Sequence, residues 1–109
     1  MSDILGTFEQ AVLLAVAKLG DNAYGRAVLK EVAIRLDRDV AAGAVYATLD
    51  RLEAKELLSS RLAAGTPSRG GRDRRYYKLE AAGMAALNET RAMLESLWRD
   101  AAWPIGSKV

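Results

Sequence analysis

Gly43 to Leu79 reads GAVYATLDRLEAKELLSSRLAAGTPSRGGRDRRYYKL. Its first third has helical spacing, with Val45, Leu49 and Leu52 recurring at i, i+4 and i+7. From Leu57 the period falls to two. Leu58, Ser60 and Leu62 alternate with Ser59 and Arg61, and Tyr77 and Leu79 alternate with Tyr76 and Lys78. Between these candidate strands Gly65, Pro67, Gly70 and Gly71 mark a long hairpin tip. Charge gathers in the same place. Ser59 to Lys78 holds six basic residues (Arg61, Arg69, Arg72, Arg74, Arg75, Lys78) against Asp73, a balance of +5, while the formal total is +2. The other 89 residues therefore carry −3 between them. A helix followed by a basic hairpin is how a winged helix-turn-helix enters a major groove and clamps the flanking backbone.

Outward from this stretch the pattern is helical on both sides. Thr7-Phe8-Glu9-Gln10 reads as a capping box, with Thr7 and Gln10 satisfying the first free amides of a helix that runs to about Leu19. Its apolar residues cover more than one stripe, so it is expected to be buried on several sides, one of them by a second chain. A second helix fits Tyr24 to Leu36 and a third fits Ala42 to Lys55, separated by a polar break at Asp37-Arg38-Asp39. The helical period returns at Glu80 and runs to about Ala101, before Trp103-Pro104. At 1.5 Å per residue that last helix would be about 33 Å long. Leu87, Thr90, Leu94, Leu97 and Ala101 follow the 3-4-3-4 spacing of a helix-pair seam. The expected fold is mainly α with a small β-hairpin, in the order α-α-α-β-β-α. Residues 1–79 form the winged helix-turn-helix, and residues 80–103 a C-terminal dimerisation helix in the same compact unit.

Composition narrows the chemistry. A chain of 109 residues is one domain, and half of its residues are apolar. It has no cysteine and no histidine. Disulfides, thiolate metal sites, cysteine nucleophiles and imidazole bases are thereby removed, and no metal or cofactor is expected. The carboxylates stand in no paired arrangement near a glycine-rich phosphate loop, and Gly70-Gly71 lies in a hairpin and not before a helix, so an enzyme is not expected. No charged n-region precedes an apolar run with a cleavage site, so no signal peptide is expected. The longest strongly apolar run, Ala11 to Ala17, is far short of the roughly 20 residues of a membrane span. A cytoplasmic protein is the expectation.

With these elements in order, the chain resembles the PadR family of winged-helix transcriptional regulators, in its short form with a single terminal helix. The similarity runs from about Gly6 to Asp100. It is carried by Ala23-Tyr24-Gly25, by Gly43-Ala44-Val45-Tyr46-Ala47-Thr48-Leu49-Asp50-Arg51-Leu52-Glu53, by Gly70-Gly71-Arg72 with Arg74-Arg75-Tyr76-Tyr77, and by Leu79 with Gly83. One departure is Glu56, where the family pattern usually has the glycine that suits a left-handed helix stop.

The resemblance implies a sequence-specific DNA-binding regulator: a homodimeric repressor on a palindromic operator, released by a small planar aromatic effector. The alternative from the residues is a winged-helix adaptor whose basic hairpin binds an acidic protein, although helix three offers few large anchors for one. DNA contact is expected at Tyr24, Ala42, Ala44, Tyr46, Thr48 and Arg51, and in the wing at Arg69, Arg72, Arg74 and Arg75. Tyr46 is either half-buried packing or a phosphate donor, and the resemblance favours the donor. Arg51 either meets DNA or forms an ion pair on the protein. The alanines let backbone approach the groove and touch thymine methyls. The dimer seam is expected at Phe8, Val12, Leu87, Leu94, Leu97 and Ala101. Trp98 is a packing residue of that seam by position, and by the resemblance lines an apolar effector pocket. Trp103 covers the same site or lies on the surface.

Overall fold

The computed structural model describes residues 4–101. Helix α1 spans Thr7–Leu19 and is the hub of the domain, packing on the elements labelled α2, α3, β2 and α4 below. Ala11, Val12, Leu13, Ala15 and Val16 are all buried, so its apolar residues serve several neighbours at once, as a helix without a single polar face must. Its cap lies one residue earlier than the sequence suggested. The Glu9 carboxylate accepts the Gly6 amide at 3.1 Å, and the Gln10 amide reaches back to the Leu5 carbonyl at 3.1 Å. Thr7 is already helical, with Gly6 in extended conformation before it.

Helix α2 (Gly25–Leu36) and helix α3 (Ala42–Ala54) form the helix-turn-helix. Both stop in the same way. Arg38 N–H bonds the Ala33 carbonyl and Asp37 N–H the Ile34 carbonyl; Leu57 N–H bonds the Leu52 carbonyl and Glu56 N–H the Glu53 carbonyl. These are Schellman stops, which put one residue in the left-handed region. Asp37 (φ 52°) and Glu56 (φ 63°) occupy it. The missing glycine at position 56 therefore leaves the stop of α3 where the family pattern has it, with a side chain in a conformation that glycine tolerates better.

Strands β1 (Leu58–Ala63) and β2 (Arg74–Leu79) pair antiparallel from Leu58↔Leu79 to Ala63↔Arg74. A short segment before α2 adds to the edge: Tyr24 bridges Tyr76, and Tyr77 N–H donates to the Ala23 carbonyl at 2.8 Å. The tip is tied across by the Asp73 carboxylate, which accepts the Gly65 amide at 2.7 Å. A Cβ on Gly65 would lie 2.1 Å from the Gly71 carbonyl oxygen, so only glycine fits that crossing.

Helix α4 (Ala81–Trp98) leaves the sheet along the core. Gly83 sits against the Leu57 carbonyl, 2.3 Å from where a Cβ would be, which brings the helix axis close to the hairpin root. At 18 residues α4 is about 27 Å long, shorter than expected. From Arg91 to Asp100 every residue is exposed, so no packing within the protomer extends the helix, and Arg99 is extended. Trp103 and Pro104 lie outside the described residues. Thr90 turns inward: it is fully buried, and its hydroxyl accepts the Leu5 amide at 3.0 Å.

Candidate nucleic-acid interface

The first turn of α2, the front of α3 and the wing enclose a cleft of about 720 Å³. Tyr24, Gly25, Arg26, Tyr46, Arg72, Arg74 and Arg75 line it. Four of its eleven lining residues are arginines, and Asp73 is the one acid among them. Arg26 was missed in the sequence. Its signal was a cation in the first turn of α2, where no acid stands and where the positive end of the helix dipole disfavours a cation unless an anion is bound.

Tyr46 joins the two helices of the motif. Its ring lies over Gly25, where a Cβ would come within 2.6 Å of a ring carbon, and 42% of the residue is exposed to the cleft. The two readings of Tyr46 are thus compatible: the ring packs while the residue faces outward. Tyr24 is half-buried, its ring beneath the Arg74 guanidinium at 3.9 Å and edge-on to Tyr76. Ala42 and Ala44 are exposed on the leading turn of α3 beside Gly43. Exposed Arg75 donates to the Ser60 hydroxyl at 3.0 Å, and that hydroxyl donates to Glu53 of α3 at 2.7 Å, tying the wing to α3. Arg72 and Arg26 have no hydrogen bond or ion pair among the described residues. The side chain of Arg69 lies outside the described set.

One expected contact is corrected, and for Arg51 the ion-pair alternative is the one displayed. Thr48 is 3% exposed, inside the core with Val45 and Leu49, so it does not present a side chain to bases. Arg51 is exposed but turned toward α1, with Nη2 at 3.4 Å from the Thr48 hydroxyl and Nε at 3.7 Å from Glu9. Lys55 reaches the same Glu9 oxygen at 3.6 Å. The Thr48–Arg51–Lys55 edge of α3 thus faces α1. On the hairpin's inner face, burial pushes the Tyr77 phenol above its ordinary pKa of 10.0, assisted by Asp50, so it stays neutral beside the cleft.

The proposed seam residues separate in the same manner. Val12 is completely buried in its own protomer and cannot meet another. Phe8 and Leu87 are half-buried against the protomer's own core. Leu94, Leu97 and Trp98 are exposed on α4, Leu97 by 70% and Trp98 by 57%, with Met84 and Met93 also exposed on that helix. On α1 it is Leu14 that is exposed, a position that the sequence pattern did not separate from Val12. Ala101 lies beyond the end of α4 and is partly buried. Among the described residues no three acidic side chains gather as a metal site, and no helix is long and apolar enough to cross a membrane.

Comparison with known proteins agrees with this architecture. The Mycobacterium tuberculosis protein named transcriptional regulator Rv3488 is 41% identical over 80 residues, 73% of this chain and 71% of its own length. The crystal structure of a PadR family transcriptional regulator from Eggerthella lenta is 31% identical with a TM-score of 0.64, over 79% of this chain and 72% of that one. A PadR-like transcription factor from Bacteroides fragilis gives 29% and a TM-score of 0.69, over 84% of each chain. The model of the PadR-like family of transcriptional regulators matches residues 13–89, from the middle of α1 through α2, α3 and the wing to the middle of α4. This chain therefore belongs to the PadR-like family, whose members are regulators of transcription and not enzymes.

Proposed function

We propose that this regulator is a homodimeric repressor that reads a palindromic operator in the cytoplasm. The observation that carries the reading is the arginine-lined cleft between α2, α3 and the wing. The small front of α3 at Ala42 and Ala44 would enter the major groove, with Tyr46 donating to a phosphate and Arg72, Arg74 and Arg75 on the adjacent backbone. Residues 1–79 are the DNA-binding part, and α4 with the segment to residue 103 is the dimerisation part. Exposed Leu94, Leu97 and Trp98 on α4 support a helix pair, because contiguous apolar surface of this kind is normally covered. A dimer seated across an operator excludes other proteins from the same DNA, which is repression in its simplest form. A planar aromatic effector binding beside Trp98 between protomers would release it.

A salt titration on the best site selected from a random pool tests the reading. If each protomer neutralises about four phosphates, log K against log salt falls with a slope of about −7 for the dimer. A slope near zero removes the DNA reading and leaves an acidic protein as the occupant of the cleft.

A further inference from the structure

Four side chains on one face of the wing follow in the order cation, ring, ring, cation. The Arg61 guanidinium carbon lies 4.9 Å from the centroid of the Tyr76 ring. Tyr76 meets Tyr24 edge-on, with centroids 5.8 Å apart and planes at 65°. The Arg74 guanidinium carbon lies 3.9 Å from the centroid of Tyr24. The register produces this order. Arg61 stands opposite Tyr76 and Ala63 opposite Arg74, so these side chains share one face of the hairpin, and Tyr24 joins that face through its bridge to Tyr76.

Tyr24 is the fixed member. Its main chain is tied to β2 by the bridge and by the neighbouring Tyr77-to-Ala23 hydrogen bond at 2.8 Å, and its own carbonyl receives the Val28 amide at 2.9 Å as α2 begins. Arg74 is the first residue of β2, next to the ten-residue tip, where the backbone alone constrains a long side chain least. A guanidinium stacks through its face and keeps its five N–H donors in the plane, free for phosphate oxygens. Stacking therefore removes rotamer freedom before DNA arrives without consuming donors. Among the described residues Arg72, in the same cleft, stacks on no ring.

We propose that Tyr24 is a positioning residue: its ring, braced by Tyr76 under Arg61, holds Arg74 in the orientation in which it clamps a phosphate. The proposal rests on the reading of the cleft as the DNA site. It also assigns Arg61 a place in the brace.

The test is a double-mutant cycle on operator affinity with Tyr24→Phe, Tyr24→Leu and Arg74→Ala, joined by Arg74→Lys. Tyr24→Phe keeps the ring and loses much less affinity than Tyr24→Leu. Tyr24→Leu removes the platform and weakens the dimer about tenfold, a factor of about three per protomer, the size of a partly exposed cation–π contact. Adding Tyr24→Leu to Arg74→Ala brings little further loss. Arg74→Lys keeps the charge but weakens binding, because an ammonium cannot lie flat on the ring with donors in plane. Equal losses for Phe and Leu, or strictly additive losses for the Leu and Ala changes, overturn the proposal. A second readout needs no DNA. In the free protein the Arg74 Nε–H proton is shifted upfield by the Tyr24 ring, and the shift collapses in Tyr24→Leu. Its absence in the parent overturns the proposal even if Tyr24→Leu folds poorly. A parent that shows the shift but binds no duplex refutes the DNA reading alone.

Discussion

Glu56 shows how a single position can carry strain without moving the fold. Its φ of 63° is the left-handed conformation that the Schellman stop of α3 demands, and its side chain makes no hydrogen bond or ion pair among the described residues. A non-glycine residue there costs about 1 kcal/mol, partly offset because glycine leaves the unfolded chain more freedom. Glu56→Gly is expected to stabilise the domain by about 0.5 kcal/mol and raise Tm by a few degrees, measured by thermal melting, with DNA affinity unchanged. A lower Tm would mean that the Glu56 side chain contributes something the geometry does not display. Asp37 holds the equivalent place after α2, and aspartate tolerates the left-handed region better, so the gain from glycine there should be smaller. The departure at position 56 was visible in the sequence. What it did to the end of α3 was not, because the stop is closed by carbonyls at Leu52 and Glu53 that only the backbone path brings together.

At the scale of elements, the wing and α4 are built for different labours. The wing carries its charge on a two-stranded hairpin whose tip is closed by Asp73, so its arginines project from a fixed frame. Phosphate contacts carry no direct sequence information. Arg72→Ala with Arg74→Ala is therefore expected to weaken binding to every duplex alike, and to reduce the magnitude of the salt slope by about 3.6 for two protomers. Unchanged affinity in a mobility-shift titration would make the hairpin a solvated loop. Helix α4 has an inward half anchored by Gly83, Ala86 and Thr90 and an outward half in which every residue from Arg91 to Trp98 is exposed. Leu97→Glu places a charge on that outer half at little expected cost to the protomer. Sedimentation should then show monomer and operator binding should collapse, since desolvating an unpaired charge in a helix seam costs several kcal/mol. A dimeric Leu97→Glu protein that still binds its operator would place the interface elsewhere.

At the scale of the whole molecule, α1 connects the two ends. It packs on α2, α3 and β2 beside the cleft and also on α4, and the Leu5-to-Thr90 hydrogen bond pins the segment before it to the middle of α4. If two α4 helices pair as proposed, a change in that pairing would reach the helix-turn-helix through α1 and alter the separation of the two α3 helices. Half-sites of one helical turn, about 34–36 Å, tolerate little misregister. If a planar aromatic ligand binds at Trp98 and favours a DNA-incompetent pairing, Trp98 fluorescence in a Trp103→Phe background should quench saturably, and added operator should oppose the binding. A broad panel of aromatic compounds with no saturable quenching would reduce Trp98 to a packing residue of the helix pair.

The order of elements, the hairpin and its turns, the concentration of basic charge and the family were all legible in the sequence. Each depends on local periodicity, turn chemistry or composition, which a one-dimensional reading preserves. The faces were less legible. Helical spacing separated Val45, Leu49 and Leu52 from the rest of α3, yet Thr48 is buried with them and Arg51 is drawn to Glu9. Val12 and Leu14 are both apolar and two residues apart on α1, yet only Leu14 is exposed. An amphipathic pattern ranks the sides of a helix by polarity, but α1 is packed on several sides, so its neighbours decide which apolar residue is left over. The contacts that organise the cleft are of the same kind. The Tyr46 ring over Gly25 and the Tyr24 ring under Arg74 join residues 21 and 50 positions apart in the chain. Only the folding of α2 against α3 and the pairing of Tyr24 with the wing bring those partners into contact.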